Sequence, residues 1–363
     1  MKVLITAPSL DEKENVSGIS TLVRQIIEHG AAEFYHFQAG RLDGGDGKIN
    51  WIANQISLLP RFYRQIKKVK IDLVHINTAL NPLSIVRDFT LVKTAKVAGR
   101  KTLLHLHGGE FLAREFESVW LKRIAEKMLR SADAIIVLSE LERQIIEQRW
   151  SNLNVRVLEN AVSLDAVKNH NRKASGKTII FLGRLHESKG LHEIIEVCRI
   201  LKTDNFEFQF RCFGVGALKD FFVAEMSEIL GDNFFYGGVV AGEEKWNELA
   251  ASDIFLLPSR YGEGLPMAML EAMAAGCVVV AADVASVRAV IRDGENGFLV
   301  EPYNTREIAE KLKILLTDKA DWETLRRNAR KTVEEKFAIG DYIKKLENIY
   351  GEISALRQKN KFY

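Results

Sequence analysis

Glu263 and Glu271 stand with seven residues between them in the run Arg260-Tyr-Gly-Glu-Gly-Leu-Pro-Met-Ala-Met-Leu-Glu-Ala-Met-Ala-Ala-Gly276. The first glutamate falls in a glycine-rich loop, the second on the helix that this loop opens. Pro266 suits the first helical turn, where its missing N–H costs nothing. Met267 to Ala275 are good helix formers and Gly276 is a natural stop. At a rise of about 1.5 Å per residue, Glu271 lies roughly 7–8 Å along the axis from Pro266. An acid/base couple is one use of such a pair. Two acceptors framing a helix N-terminus also suit a ligand with a hydroxyl-rich group at each end and an anion between them. A nucleotide sugar has that layout: sugar, diphosphate, ribose.

A second constellation lies upstream, in Phe181-Leu-Gly-Arg-Leu-His-Glu-Ser-Lys-Gly190. A strand, a loop with Gly, Arg and Lys, then a helix make a good anion site, because backbone N–H groups and the helix dipole favour phosphate. Arg184 can grip phosphate oxygens bidentately and Lys189 adds a point charge. Either cation alone reads as solvated decoration; with the glutamate block in the same half of the chain they read as one site. Gly214-Val-Gly216 closes another strand and Gly237-Gly-Val239 follows. Both are candidates for close backbone approach to a ligand, and both are weak motifs.

The first half offers less. His105 and His107 alternate with leucines at a strand end, so both point the same way. His107, just before two glycines, is the better site candidate, with Glu110 behind it. Ser17-Gly-Ile-Ser20 reads as a helix N-cap in which Gly18 is a candidate ligand contact. Asn77 is placed at an acceptor pocket by topology alone.

These residues need elements to hold them. A chain of 363 residues with ordinary apolar and charged fractions suggests two or three soluble domains. The net charge of +3 is too small to argue for nucleic acid. Cys198, Cys212 and Cys277 lack metal or redox spacing and point to a reducing, cytoplasmic setting. Met1 to Pro8 reads as a first strand, not a leader, and no apolar run is long enough to span a bilayer. Apolar runs at Val3–Ala7, Leu73–Asn77, Thr102–His107, Ala134–Leu138 and Arg156–Leu158 alternate with helical patterns at Ile19–His29, Leu83–Ala98, Val119–Arg130 and Leu141–Gln148. A polar stretch at 160–176 breaks the series. It restarts at Lys177–Gly183 and continues at Phe208–Gly214, Ile254–Pro258, Val278–Ala281 and Gly297–Val300. The expected class is α/β, with two doubly wound, Rossmann-like domains facing a central cleft: residues 1–165, residues 166–340, and a last helix, 341–363, that packs back on the first domain.

The segment from Lys48 to Lys101 carries eleven Lys and Arg against Asp72 and Asp88. Its start, Trp51 to Lys68, mixes aromatic and basic residues as an interfacial helix on anionic lipid does. The alternative is a surface helix packed on the sheet through Ile52, Ile56 and Leu59.

Taken together, Glu263-Gly-Leu-Pro, Leu270-Glu-Ala-Met-Ala-Ala-Gly276 and Phe181-Leu-Gly-Arg184 with Lys189-Gly190 closely resemble the retaining glycosyltransferases of family 4, which have the GT-B fold. The resemblance covers most of the second half and weakens in the first. It implies that Arg184 and Lys189 neutralise a donor diphosphate, that Glu271 binds ribose hydroxyls and that Glu263 lies by the donor sugar. On this basis the catalytic set is Glu263, His107, Arg184 and Lys189. Donor contacts are Arg184, Lys189, Gly214, Val239, Gly264, Leu265 and Glu271, and acceptor contacts Gly18, Asn77, His107 and Glu110. The partners implied are a nucleotide-sugar donor, UDP favoured, and a glycan or lipid-linked acceptor in surface polysaccharide assembly. An anionic membrane surface joins them through the basic segment; nucleic acid does not. No Asp-x-Asp occurs in the chain, and neither metal nor cofactor is expected. The competing readings are a nucleotide-sugar epimerase or phosphorylase on the same scaffold, and a non-catalytic nucleotide-sugar-binding subunit. A dinucleotide oxidoreductase would need a complete Gly-x-Gly-x-x-Gly after a first strand, which is missing.

Overall fold

The computed structural model describes residues 1–12, 14–40, 48–113, 115–168, 177–261, 263–284, 286–317 and 321–359, without the side chains at 48–56, 110, 113, 166, 168 and 356–359. Strand and helix alternate along the chain and build two all-parallel sheets of six strands. The first holds β1 (Lys2–Ala7), β2 (Glu33–Gln38), β3 (Leu73–Thr78), β4 (Lys101–Leu106), β5 (Ala134–Val137) and β6 (Val155–Val157), ordered β2-β1-β3-β4-β5-β6. The second holds β7 (Thr178–Leu182), β8 (Gln209–Phe213), β9 (Phe234–Tyr236), β10 (Ile254–Leu257), β11 (Val278–Ala282) and β12 (Phe298–Val300), ordered β12-β11-β10-β7-β8-β9.

Parallel strands covered on both faces read as unbroken apolar runs. Ala134–Val137, Ile254–Leu257 and Val278–Ala282 are buried along their whole length. The edge strands break that rule. β2 is Glu-Phe-Tyr-His-Phe-Gln with one buried residue, and β9 is only three residues long. Neither is expected from the apolar pattern, because an edge strand is partly wet and needs no continuous apolar face.

Residues 1–160 with 339–363 form one compact unit and residues 161–338 the other. The last helix, Ile339–Lys359, thus belongs to the first unit. There Tyr350 is fully buried and bonds His75 Nδ1 at 2.7 Å, and Glu347 accepts the Ala31 N–H at 2.7 Å.

The basic helix, Lys48–Val69, packs through Leu58, Phe62 and Ile66 and leaves Arg61, Arg64, Lys67 and Lys68 exposed. Of the residues expected to pack, Leu59 is half-buried against the core, while the side chains of Ile52 and Ile56, like that of Trp51, lie outside the described ones. An interfacial helix needs a free apolar face; from residue 57 onward this one has spent its face on the sheet. The basic charge is also smaller than the sequence suggests. Arg87 is paired with Asp88 at 2.6 Å, and Lys96 and Lys101 share Asp133.

Each sheet has one place where the chain reverses direction across it: between β1 and β3 in the first, between β7 and β10 in the second. Loops leaving the carboxyl ends of such neighbours part to opposite faces and open a crevice, the usual ligand position in this architecture.

Candidate functional site

In the second unit, the crevice between β7 and β10 gathers the residues that the spacing singled out. The β7 loop carries Arg184 and Lys189; the β10 loop carries Ser259, Arg260 and Glu263. The two loops are stitched together. The Arg260 N–H donates to Ser188 O at 2.8 Å, and its guanidinium reaches Glu193 Oε1 at 2.8 Å. Gly190 has φ +71, and a methyl group there would overlap the Pro258 carbonyl oxygen, so glycine is required twice over.

Lys189 and Glu263 form an ion pair across this seam, and Ser259 Oγ donates to the same Oε1 at 2.5 Å. Burial by itself raises the Glu263 pKa. Lys189 by charge and hydrogen bond, then Ser259, then the charge of Arg184 outweigh it and bring it below its ordinary 4.5. Glu263 is therefore an ionised acceptor at neutral pH and not a proton donor. Arg184 is exposed and has no carboxylate partner among the described residues, so its donors are open to an anion.

Glu271 lies inside the Met267–Ala274 helix, 2 % exposed. Its Oε1 accepts from Lys245 Nζ at 2.6 Å. Lys245, on the Gly242–Ala250 helix, escapes a sequence reading, because nothing local marks a residue 26 positions from its partner.

The helix starts here share a feature. The α-helices that follow β7, β8, β9 and β10 begin after Gly190, Leu218, Ala241 and Pro266, and none has a side-chain cap. Uncapped first-turn N–H groups and the positive end of the dipole favour an anion.

The weaker glycine candidates turn inward. The Gly214 N–H donates to Gly238 O at 2.6 Å, and added methyl groups at Gly214 and Gly216 would strike the carbonyl oxygens of Gly183 and Leu185. These glycines let loops pack on one another, and the Gly214 N–H is already occupied. Val239 is exposed after β9, whereas Gly264 and Leu265 are buried in the β10 loop.

In the first unit, His107 Nε2 is 2.7 Å from Asn77 Oδ1. Asn77 Nδ2 donates to Thr6 O at 2.8 Å, so its oxygen must face the histidine. His107 therefore donates from Nε2 and keeps a lone pair on Nδ1. Burial lowers its pKa to about 3, so it is a neutral acceptor. Behind it lie His105, its ring centroid 4.0 Å away, and His75, whose Nε2 is 3.3 Å from His105 Nδ1. Burial holds both well below the ordinary histidine value, with neighbouring rings adding to the effect. Asn77 is thus a support for His107, both ends of its amide being used. Ser17 caps the Gly18–His29 helix through a 3.3 Å bond from the Ser20 N–H, leaving Gly18 exposed. The Glu110 side chain lies outside the described ones.

Among the described residues, no group of three or more His, Cys, Asp or Glu is arranged to hold a metal ion, and no helix is long and apolar enough to cross a membrane. The three cysteines are buried and form no disulfide.

Comparison with known proteins bears on both halves. Residues 164–332 match the family model described as "Glycosyl transferases group 1" and residues 46–166 the one described as "Glycosyltransferase Family 4". The amylovoran biosynthesis glycosyltransferase of Erwinia amylovora is 33% identical over 335 residues, covering 88% of this chain and 77% of that protein. A Salmonella typhimurium protein named for colanic acid biosynthesis is 28% identical over 241 residues, 64% of this chain. The match takes in only 59% of that relative's length. Among solved structures, the sucrose-phosphate synthase of Thermosynechococcus elongatus superposes with a TM-score of 0.79 at 19% identity, covering 98% of this chain and 99% of that one. HepE of Anabaena, solved with UDP-glucose, gives 0.76 at 17% identity, covering 97% and 100%. Both likenesses identify the fold as GT-B.

Proposed function

Because the chain belongs to the family 4, group 1 glycosyltransferases, we propose that it moves a sugar, with retention of configuration, from a nucleotide-diphosphate donor to a glycan or lipid-linked acceptor. The observation that carries this reading is the seam between β7 and β10. An Arg184 with no carboxylate partner among the described residues, a buried Lys189–Glu263 pair and uncapped helix starts flank one crevice, with Glu271 in the adjoining helix. Departure of the diphosphate leaves negative charge on oxygen. Arg184, Lys189 and the first-turn N–H groups meet that charge as preorganised donors, so no divalent cation is needed. Glu263, held ionised, faces the sugar, where positive character develops at the anomeric carbon. Glu271 takes the ribose hydroxyls. His107 offers Nδ1 as an acceptor to a hydroxyl of the sugar or acceptor.

For retention we favour a same-face displacement. The bond from the anomeric carbon to the phosphate oxygen breaks, the acceptor oxygen bonds to that carbon on the same face, and the acceptor proton passes to the leaving phosphate. UDP is the favoured nucleotide, since HepE of similar fold was solved with UDP-glucose. The relatives named for amylovoran and colanic acid synthesis support surface polysaccharide as the setting. Reaction at the cytoplasmic face of a membrane fits the exposed Arg61, Arg64, Lys67 and Lys68, which attract anionic lipid by charge alone.

Thermal shift and donor hydrolysis across UDP-, GDP- and ADP-sugars, with and without EDTA, test the proposal. Selective stabilisation by one nucleotide, with hydrolysis insensitive to EDTA, is expected. Binding without hydrolysis or transfer to any acceptor would favour a non-catalytic sugar-nucleotide-binding subunit.

A further inference from the structure

Lys245 has no place in the donor chemistry above, yet it makes one of the most buried ion pairs in the second unit. Its Nζ lies 2.6 Å from Glu271 Oε1, with the two side chains 11% and 3% exposed. Stability gives little reason for this pair. Burying an ammonium and a carboxylate costs each its hydration, and an apolar pair of similar volume commonly serves a fold as well or better. The helix around Glu271 is otherwise apolar, with Met267, Met269, Leu270, Ala272, Met273 and Ala274 all buried. A glutamate tied at one oxygen in such a wall suggests that the other oxygen has a task. No described residue donates to Oε2 of Glu271.

We infer that Lys245 is a positioning residue for Glu271: it clamps Oε1 so that Oε2 is presented, in one rotamer, to a vicinal diol of the nucleotide. The inference rests on the donor reading and deepens it. A carboxylate oxygen has two lone pairs, matching the two O–H donors of a ribose 2′,3′-diol. A free glutamate would have to give up rotamer freedom on binding, whereas the clamped one has already done so. Lys245 itself brings only donors, so its service to hydroxyl donors runs through the carboxylate.

Calorimetric titration separates this role from its rivals. The probes are the tightest binder among UDP, GDP and ADP and its 2′,3′-dideoxy analogue, measured on the wild-type protein, Lys245→Met, Lys245→Arg and Glu271→Ala. Lys245→Met is expected to weaken the ribonucleotide about tenfold while changing the dideoxy analogue less than about twofold. Lys245→Arg is expected to recover most of the loss. Equal losses on both ligands would mean that Lys245 merely attracts the diphosphate, and would overturn the inference. So would an unchanged Lys245→Met beside a weakened Glu271→Ala. If Glu271→Ala itself binds normally, or none of the three nucleotides binds, the donor reading fails and takes this one with it. Should Lys245→Met melt poorly, Lys245→Gln replaces it, keeping a hydrogen bond without the charge; the same selective loss is expected, and its absence counts against the clamp.

Discussion

The two units share an architecture but differ in how the helices after several strands start, although the second unit's later helices, Thr305–Leu316 and Trp322–Lys336, are capped by Asn304 and Asp321. In the first unit the long helices after β1, β3, β4 and β5 start at Ser17, Asn81, Ser118 and Ser139, and each of these side chains caps its helix. In the second, the helices after β7 to β10 start at Gly190, Leu218, Ala241 and Pro266 without a side-chain cap. A cap contributes about 1 kcal/mol. Four missing caps are therefore an appreciable sacrifice in a protein of marginal stability, and two of these helices, after β7 and β10, flank the crevice whose loops carry Arg184, Lys189 and Glu263. The titratable groups divide similarly. The first unit buries three histidines held neutral, and the second has none of these at its crevice but an ionised Glu263 held by Lys189.

The largest expected effect tests the charged side of that contrast. Arg184→Ala removes an exposed cation with no carboxylate partner among the described residues, so folding should be unaffected while turnover falls roughly 10²–10³-fold, the usual cost of losing a preorganised donor. Lys189→Ala should match it in turnover and also destabilise, because it strands a buried Glu263. Near-normal kcat in Arg184→Ala would dismiss the diphosphate assignment.

Next in size is Pro266→Asp. It adds a cap and a favourable charge to a helix start, so the melting temperature should hold or rise. Nucleotide affinity should nevertheless drop by about tenfold or more, since the carboxylate occupies the end meant for an anion. Unchanged affinity would show that this helix start does not serve the ligand.

Acid separates the units without mutation. His75, His105 and His107 have folded pKa values lowered by burial, so the folded state binds fewer protons than the unfolded chain. The first unit should lose stability as pH falls below about 6.5, by at most about 1.4 kcal/mol per pH unit for each histidine. Glu263 has a lowered carboxylate value, so its contribution stands above about pH 4.5 and fades only as pH falls through the folded value. Unit-resolved hydrogen exchange between pH 7 and 5 should show the first unit weakening ahead of the second; simultaneous loss would contradict the division. The smallest effects come from the caps themselves. Asn81→Ala should cost about 1 kcal/mol and Ala241→Ser gain a comparable amount in chemical denaturation. Opposite signs would undo the comparison.

The division also explains what a reader of the sequence can see. Arg184, Lys189, Glu263 and Glu271 were legible because each sits beside a local mark: a strand end, a glycine, a proline at a helix start. The central strands announce themselves as apolar runs, whereas β2 and β9, partly wet at the sheet edges, do not. Pairings across strands stay hidden. Asn77 meets His107 only through the register that sets Asn77 opposite His105, and Lys245 meets Glu271 only once two helices are folded against one sheet. In the basic helix Leu59 is half-buried against the core as the sequence suggests, while the buried positions Leu58, Phe62 and Ile66 are not marked in the sequence. A proline at position 60 and aromatic residues on both faces blur its period.

The central claim is that the second unit holds a nucleotide diphosphate at the seam of β7 and β10. A crystal structure of the protein with UDP-glucose, or with whichever nucleotide sugar stabilises it most, tests this directly. The diphosphate is expected against Arg184 and the Leu191–Thr203 helix start, with the ribose hydroxyls on Glu271 Oε2. A nucleotide bound elsewhere, or a Glu271 carboxylate that touches only Lys245 in the complex, would contradict it.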